Sequence, residues 1–166
     1  YTPDDIFENN LEIKSRAPVI VYDDDHFYMA SVIAEKLALD GYKVTYVTPL
    51  ASVATWTDLT LEQDKIINKL NSLNIHFKVN CKLNTNGKFI NTLSGDIEYF
   101  NTENIIFVGA RLQNDELCSQ AKEKMNNKNI FSTGDCVAPG MIQAAVLSGH
   151  TVARSIIEGD KDGFFL

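Results

Sequence analysis

The sequence is poor in cysteine, tryptophan and positive charge. Its three cysteines, Cys81, Cys118 and Cys136, are widely spaced and odd in number. They form no CxxC pair for thiol exchange or zinc, and an iron–sulfur cluster held by this chain alone would need four thiolates at close spacing. Reduced thiols in a cytoplasmic protein are the reading that redox compartment favours. Lysine and arginine number 15 against 22 acidic residues, a formal net charge of -7. That balance excludes binding to nucleic acid or anionic membrane through clustered basic residues. No apolar run approaches the ~20 residues of a membrane-spanning helix, and no basic-then-apolar stretch marks a signal peptide. An initial methionine is also missing, and Tyr1 lies only a short helix away from the first strand. The expectation is a piece of a longer polypeptide.

What is present is an ordinary globular composition, 45 % hydrophobic and 22 % charged over 166 residues, enough for one sizeable core or two small lobes. Thr2-Pro3-Asp4-Asp5 reads as an N-cap, a proline at the first helical position and acids that complement the helix dipole, opening a short helix through Glu8. Polar residues from Asn9 to Arg16 lead into a strand, Val19 to Tyr22. A helix from Phe27 to Asp40, closed by Gly41, and a strand from Val44 to Val47 follow. After an irregular stretch with the only tryptophan, Trp56, Thr60 is placed to cap a helix over Leu61–Leu73. Ile75, Phe77 and Val79 alternate as a third strand. Lys82 to Phe100, broken at Asn86-Gly87 and Ser94-Gly95-Asp96, predicts an antiparallel meander. Asn104 to Gly109 returns as a buried strand, then a helix from Asp115 to Met125 and a polar turn, Asn126 to Asn129. A last strand, Ile130 to Ser132, and a helix within Pro139–Ile157 complete the order. Alternation of this kind predicts an α/β fold: a parallel sheet covered by helices, with the meander inserted as a third layer.

Ligands in such sheets bind beyond the carboxyl ends of strands, and three junctions qualify. The first carries Asp23, Asp24, Asp25 and His26 where a dinucleotide-binding unit would carry glycines. Three carboxylates repel a pyrophosphate, so the phosphate loop is degenerate. Asp24 or Asp25 could cap the helix with His26 exposed. Clustered carboxylates also suit a hard cation, but no outlying ligand joins them and no metal site is expected. The second junction is Gly109-Ala110-Arg111, where Gly109 permits close backbone approach and Arg111 can pair with a phosphate or a carboxylate. In the third, Gly134-Asp135 precedes Pro139-Gly140-Met141-Ile142. Asp135 suits a ribose or ribitol hydroxyl, and the helix start at Met141 and Ile142 suits an oxygen or phosphate. Gly149 within the last helix suggests a close helix crossing, and His150 is a core or surface histidine more readily than a catalyst.

The third junction resembles the closing motif of flavoproteins with two dinucleotide-binding domains, in which a strand ends in Gly-Asp and the aspartate holds the flavin ribitol. IIFVGARLQNDEL resembles the strand that precedes it there. VIVYDDDHFYMASVIAEKLALDGYKVTYVTPLASVATWTDLTLEQ, with TPDDI before it, resembles the trimethylamine, dimethylamine and histamine dehydrogenases, within the flavin oxidoreductases related to dienoyl-CoA reductase. The resemblance implies a parent with an FMN-bearing (β/α)8 barrel, a [4Fe-4S] cluster and a reductase-like C-terminal pair of domains, and electron transfer to an electron-transfer flavoprotein. It also implies ADP where relatives hold FAD. On that basis this chain comprises a leading segment (1–16) and a Rossmann-like NAD(P)-binding domain (17–112) with its meander near 80–102. Part of the FAD-like domain (113–158) and a tail (159–166) follow, and Phe164-Phe165-Leu166 could dock on a partner. Candidate cofactor-binding residues are Gly109, Arg111, Gly134, Asp135, Met141 and Ile142. No catalytic group of amine oxidation falls on any residue here, so the piece itself is expected to be a non-catalytic nucleotide-site or scaffold domain. Its partners are then the remaining domains of the parent. Alternatives are an NAD(P)H-dependent reductase related to dienoyl-CoA reductase, or a receiver-like signalling domain, against which Asp58 follows the polar run Ala54-Thr55-Trp56-Thr57 instead of ending an apolar third strand as a phosphoacceptor must.

Overall fold

A run of five buried residues, Val19 to Asp23, makes the first strand the hub of the sheet. Strands buried on both faces lose the polar alternation of half-exposed ones. The computed structural model describes residues 1–8, 12–14, 16–125 and 130–158. Its elements are α1 (Pro3–Phe7), β1 (Pro18–Asp23), α2 (Met29–Leu39), β2 (Lys43–Val47), α3 (Gln63–Ser72), β3 (His76–Lys78), β4 (Cys81–Leu83), β5 (Phe89–Asn91), β6 (Ile97–Glu98), β7 (Ile105–Val108), α4 (Glu116–Met125) and α5 (Ile142–Glu158). Short 3-10 turns form at Thr55–Thr60 and Gly134–Cys136. The chain divides into two compact units, 1–109 and 110–166.

In the first unit four parallel strands stand in the order β3-β2-β1-β7, and β4, β5 and β6 form a separate antiparallel sheet. Parallel neighbours need a crossover, which α2 supplies between β1 and β2 and α3 between β2 and β3. Side chains alternate across β1. Val19 and Val21 join Tyr46, Ile106, Ile33, Leu37 and Leu70 in the core on the helix side. Ile20 and Tyr22 join Val47, Cys81 and Phe89 under the meander. Each large side chain fully buried this way contributes about 1.5–3 kcal/mol. Lys78 Nζ meets the Glu98 carboxylate at 2.7 Å and ties β6 to β3.

The ends of the helices follow local chemistry. Thr2 and Asp5 form the reciprocal capping box of α1: the Asp5 carboxylate accepts the Thr2 N–H at 2.7 Å, and Thr2 Oγ1 accepts the Asp5 N–H at 3.4 Å. Gly41, at φ 89, ends α2. Its N–H donates to the Ala38 carbonyl at 3.1 Å, and the Tyr42 N–H reaches Leu37 at 3.0 Å, the paired bonds of a Schellman cap. The helix expected from Phe27 starts at Met29. Thr60 does not cap a helix: Leu61 is left-handed at φ 59, so α3 begins only at Gln63, and Thr60 Oγ1 donates to the Thr57 carbonyl instead.

The second unit departs further from the sequence reading. Ile130–Ser132 is not a strand, because a strand needs a neighbour to bond and no described segment of this unit provides one. The last helix starts at Ile142, three residues after Pro139. Among the described residues of this unit no hydrophobic side chain is fully buried, and Leu117, Ile142 and Ile157 are at least 80 % exposed. The close crossing expected at Gly149 is not needed there: an added Cβ would meet Thr133 Oγ1 only at 3.9 Å, ordinary contact. Asn9–Leu11, Ser15, the Asn126–Asn129 turn and the 159–166 tail lie outside the described residues.

Two glycine substitutions should therefore act with opposite sign. Gly41→Ala forces a left-handed alanine and should lower stability by about 1–2 kcal/mol, read from the urea midpoint. Gly149→Ala should strengthen α5 by up to ~1 kcal/mol, read as a later loss of helical circular dichroism on heating. A destabilised Gly149→Ala would contradict the open surroundings of that position.

Candidate functional site at the carboxyl end of the sheet

Asp23 is the last residue of β1 and is fully buried. The alternation that points Val21 to the helix side points Asp23 there too, and the parallel register sets Val21 opposite Tyr46. The Tyr46 hydroxyl thus reaches up the sheet and donates to Asp23 Oδ2 at 2.6 Å. Asp23 Oδ1 accepts the backbone N–H of His26 at 2.8 Å. Burial, opposed by these two donors and by the His26 charge, raises the Asp23 carboxyl above its ordinary value of 3.8. Burial likewise pushes the Tyr46 phenol well above 10.0, helped by the Asp23 charge beside it.

The loop between is turned inward. Its expected cap is absent: α2 begins after Tyr28 with no side-chain oxygen on its first amides. The Asp24 N–H donates to the Val108 carbonyl at 2.7 Å while its carboxylate stays exposed, and Asp25 is half-buried. Only Asp23 satisfies an amide through its side chain, and that amide belongs to the loop, three residues on. His26 is not exposed as expected. Its side chain is 13 % exposed, and its ring meets Trp56 edge to face, with centroids 5.8 Å apart. The Trp56 N–H donates to the His26 carbonyl at 2.9 Å, which lays the Thr55–Thr60 turn over the loop. Tyr46 and Trp56 were not among the candidates read from the sequence. Period-two alternation in β2 gave the means to place Tyr46 on the Asp23 face.

The second junction divides between the two units. Gly109 follows β7, and a Cβ there would meet the half-exposed Phe107 ring, which would have to shift to admit it. Arg111 is exposed in the second unit. There the structure brings Gly134 and Asp135 onto α5. Gly134 takes φ 74, and its N–H donates to Ser148 Oγ at 2.8 Å, while Thr133 Oγ1 bonds the same hydroxyl at 2.7 Å. Asp135 is exposed on this turn, and Met141 and Ile142 are exposed at the start of the helix. His150 lines an open cavity of about 350 Å³ along α5 with Leu147 and Arg154.

The residues can be matched against the groups a nucleotide-binding frame would take. A pyrophosphate does not fit the first junction, where a carboxylate already holds the loop amide, two more acids flank it, and the Thr55–Thr60 turn lies across it. Asp135 beside a left-handed glycine and the start of a 17-residue helix fits a sugar hydroxyl acceptor with a phosphate-stabilising helix end. An iron–sulfur cluster does not fit the three free thiols, of which Cys81 is buried under the meander. Among the described residues no group of His, Cys, Asp and Glu is arranged to hold a metal ion, and no helix is long and apolar enough to cross a membrane. Asp58, the acceptor a receiver domain would need at a strand end, sits exposed in the 3-10 turn.

Comparison with known proteins agrees with this architecture. Histamine dehydrogenase from Rhizobium sp. 4-9 superposes with a TM-score of 0.84 at 30 % identity, over 94 % of this chain and 26 % of that one. The 6-hydroxypseudooxynicotine amine oxidase of Pseudomonas geniculata N1 gives a TM-score of 0.81 at 34 % identity, over 91 % and 23 %. Dimethylamine dehydrogenase from Hyphomicrobium sp. (strain x) is 24 % identical over 96 % of this chain and 25 % of its own length. The chain thus spans about a quarter of the length of these relatives. The model of the OYE-like second alpha/beta domain matches residues 1–99. With well over half its length so matched, the chain belongs to the OYE-like second alpha/beta domain family.

Proposed function

We propose that the chain is the C-terminal, reductase-like region of an iron–sulfur flavoprotein that oxidises amines by N-demethylation or deamination, and that this region is itself a non-catalytic scaffold. The observation that carries the reading is the likeness to a histamine dehydrogenase over nearly the whole chain. FMN elsewhere in the parent supplies the oxidant for the amine, with a [4Fe-4S] cluster and an electron-transfer flavoprotein downstream. Residues 17–112 then keep the shape of an NAD(P)-binding domain without its phosphate site, and 113–158 complete a FAD-like domain that holds ADP or FAD through Asp135. The exposed Leu117, Ile142, Leu147 and Ile157 support this, because a unit that buries so little needs further domains of the parent against it. Three free cysteines fit a cytoplasmic setting.

The purified full-length parent should show flavin and iron–sulfur absorbance that bleaches on anaerobic addition of histamine or a methylated amine. A parent with neither absorbance would remove the proposal. The isolated chain should give no binding heat with NADH by calorimetry. Micromolar affinity would instead favour an NAD(P)H-dependent reductase.

The buried pair at the end of β1 adds a pH signature. A carboxyl whose folded pKa lies above its unfolded value of 3.8 contributes stability that is full below that value and is lost as pH rises through the folded one. Tyr46→Phe removes a donor that lowers the Asp23 pKa, so this loss should move to higher pH. At neutral pH, where the carboxylate loses a charge-stabilising partner, the cost should be about 1–3 kcal/mol, and less at pH 5. Urea unfolding at the two pH values reads the difference, and equal costs would contradict a charged Asp23 bound by Tyr46.

A further inference from the structure

The parallel sheet ends at β7, and among the described residues no strand stands beyond it. The edge reads Ile105-Ile106-Phe107-Val108, without a charge or a proline to blunt it. An apolar edge of this kind invites pairing with further chain. The amides of Ile20 and Asp24 donate to the Asn104 and Val108 carbonyls at 2.9 and 2.7 Å. Even-numbered residues therefore bond β1, and the backbone groups of Ile105 and Phe107 point to the open side. Tyr1 takes two of those groups. Its backbone nitrogen donates to the Ile105 carbonyl at 2.9 Å, and its carbonyl accepts the Phe107 N–H at 2.9 Å. These two bonds make one rung of a parallel ladder, with Tyr1 opposite Ile106. The ladder cannot continue forwards. The Asp5 carboxylate holds the Thr2 N–H as α1 begins, and the next donor in step would be Pro3, which has no N–H.

We infer, on the proposal that the chain is the C-terminal region of a longer parent, that the residues directly before Tyr1 form a fifth parallel strand on the open edge of β7. Register assigns each position. The residue directly before Tyr1 stands opposite Ile105. The one before that stands opposite Asn104, and its carbonyl accepts the outward Ile105 N–H. Ile105 and Phe107 lie opposite Ile20 and Tyr22 and share their meander-side face, where the Tyr22 and Phe107 rings are 5.6 Å apart. The side chain directly before Tyr1 falls on that face, beside Ile105 and the half-exposed Phe107, and an apolar residue fits there. A second copy of the chain would reach the same edge only at the cost of association. The attached segment starts in register from the Tyr1 rung and avoids that cost. The first unit is then fastened to the preceding part of the parent through its own sheet.

Hydrogen–deuterium exchange on the full-length parent, read by mass spectrometry at single-amide resolution, tests this pairing. The Ile105 amide should be protected like those of Ile106 and Val108, which face β1, and equally so at every protein concentration. Tyr1→Pro removes the N–H of the rung and should speed exchange at Ile105 about tenfold, whereas Tyr1→Ala keeps that N–H and should leave the rate unchanged. Continued protection of Ile106 and Val108 shows that both variants are folded. Fast exchange at Ile105 in the folded parent, protection that grows with protein concentration, or equal rates in the two variants would each overturn the fifth strand. Absorbance of the same preparation separates the two proposals. A protected Ile105 in a colourless protein keeps the strand and removes the amine-oxidising flavoprotein, and an unprotected Ile105 in a coloured one removes only the strand.

Discussion

The hydrogen bond from the Tyr46 hydroxyl to the buried Asp23 carboxylate, at 2.6 Å, is the contact around which the first unit is arranged. A lone carboxylate on the apolar helix side of the sheet would cost several kcal/mol. Two donors, one from β2 and one from the loop amide of His26, offset that cost. They also fix geometry: β1 cannot slide against β2, and the loop cannot open outward, without stripping a buried charge of a partner. The same carboxylate also occupies an amide of the loop after β1. A dinucleotide site offers loop amides to an anion from outside. Here the protein's own carboxylate takes one of those amides from within.

That arrangement changes the meaning of the three adjacent acids. As a sequence, Asp23-Asp24-Asp25 is a single negative cluster at a strand end. In the fold the three differ in kind, because the pleat sends Asp23 into the core and leaves Asp24 in solvent. The Thr55–Thr60 turn lies over the loop through the bond from the Trp56 backbone N–H to the His26 carbonyl.

Much of this was legible wherever one period or one cap decided the outcome. The hydrophobic run of β1, the Thr2 cap with Pro3 behind it, Gly41 after α2 and the meander between Lys82 and Phe100 each carry a local signal that tertiary contacts leave alone. Legibility ended where a long-range partner chose between local options. Thr60 had the chemistry of a helix cap, but Leu61 adopts left-handed backbone and Thr60 closes a 3-10 turn instead. The aspartates had the chemistry of caps as well, yet the residue with a bonding partner was the one drawn inward by Tyr46, 23 positions away. Of the candidate site, Gly109 and Gly134 have conformational or steric reasons to be glycine that the sequence could suggest. Trp56 on His26 could not be anticipated, since nothing local brings two loops together.

The two units also show how differently one chain can be supported. In the first, the helices that cover the sheet bury an apolar face against it. In the second, α5 is 17 residues long and carries Ile142, Val146, Leu147, Ile156 and Ile157 largely in solvent. Helical propensity alone holds such a segment poorly, because most helix stability in proteins comes from packing one face. The bonds of Ser148 to Thr133 and Gly134 pin a turn to this helix without supplying a core. The turn leaves Asp135 exposed beside a helix whose apolar side chains stand largely in solvent.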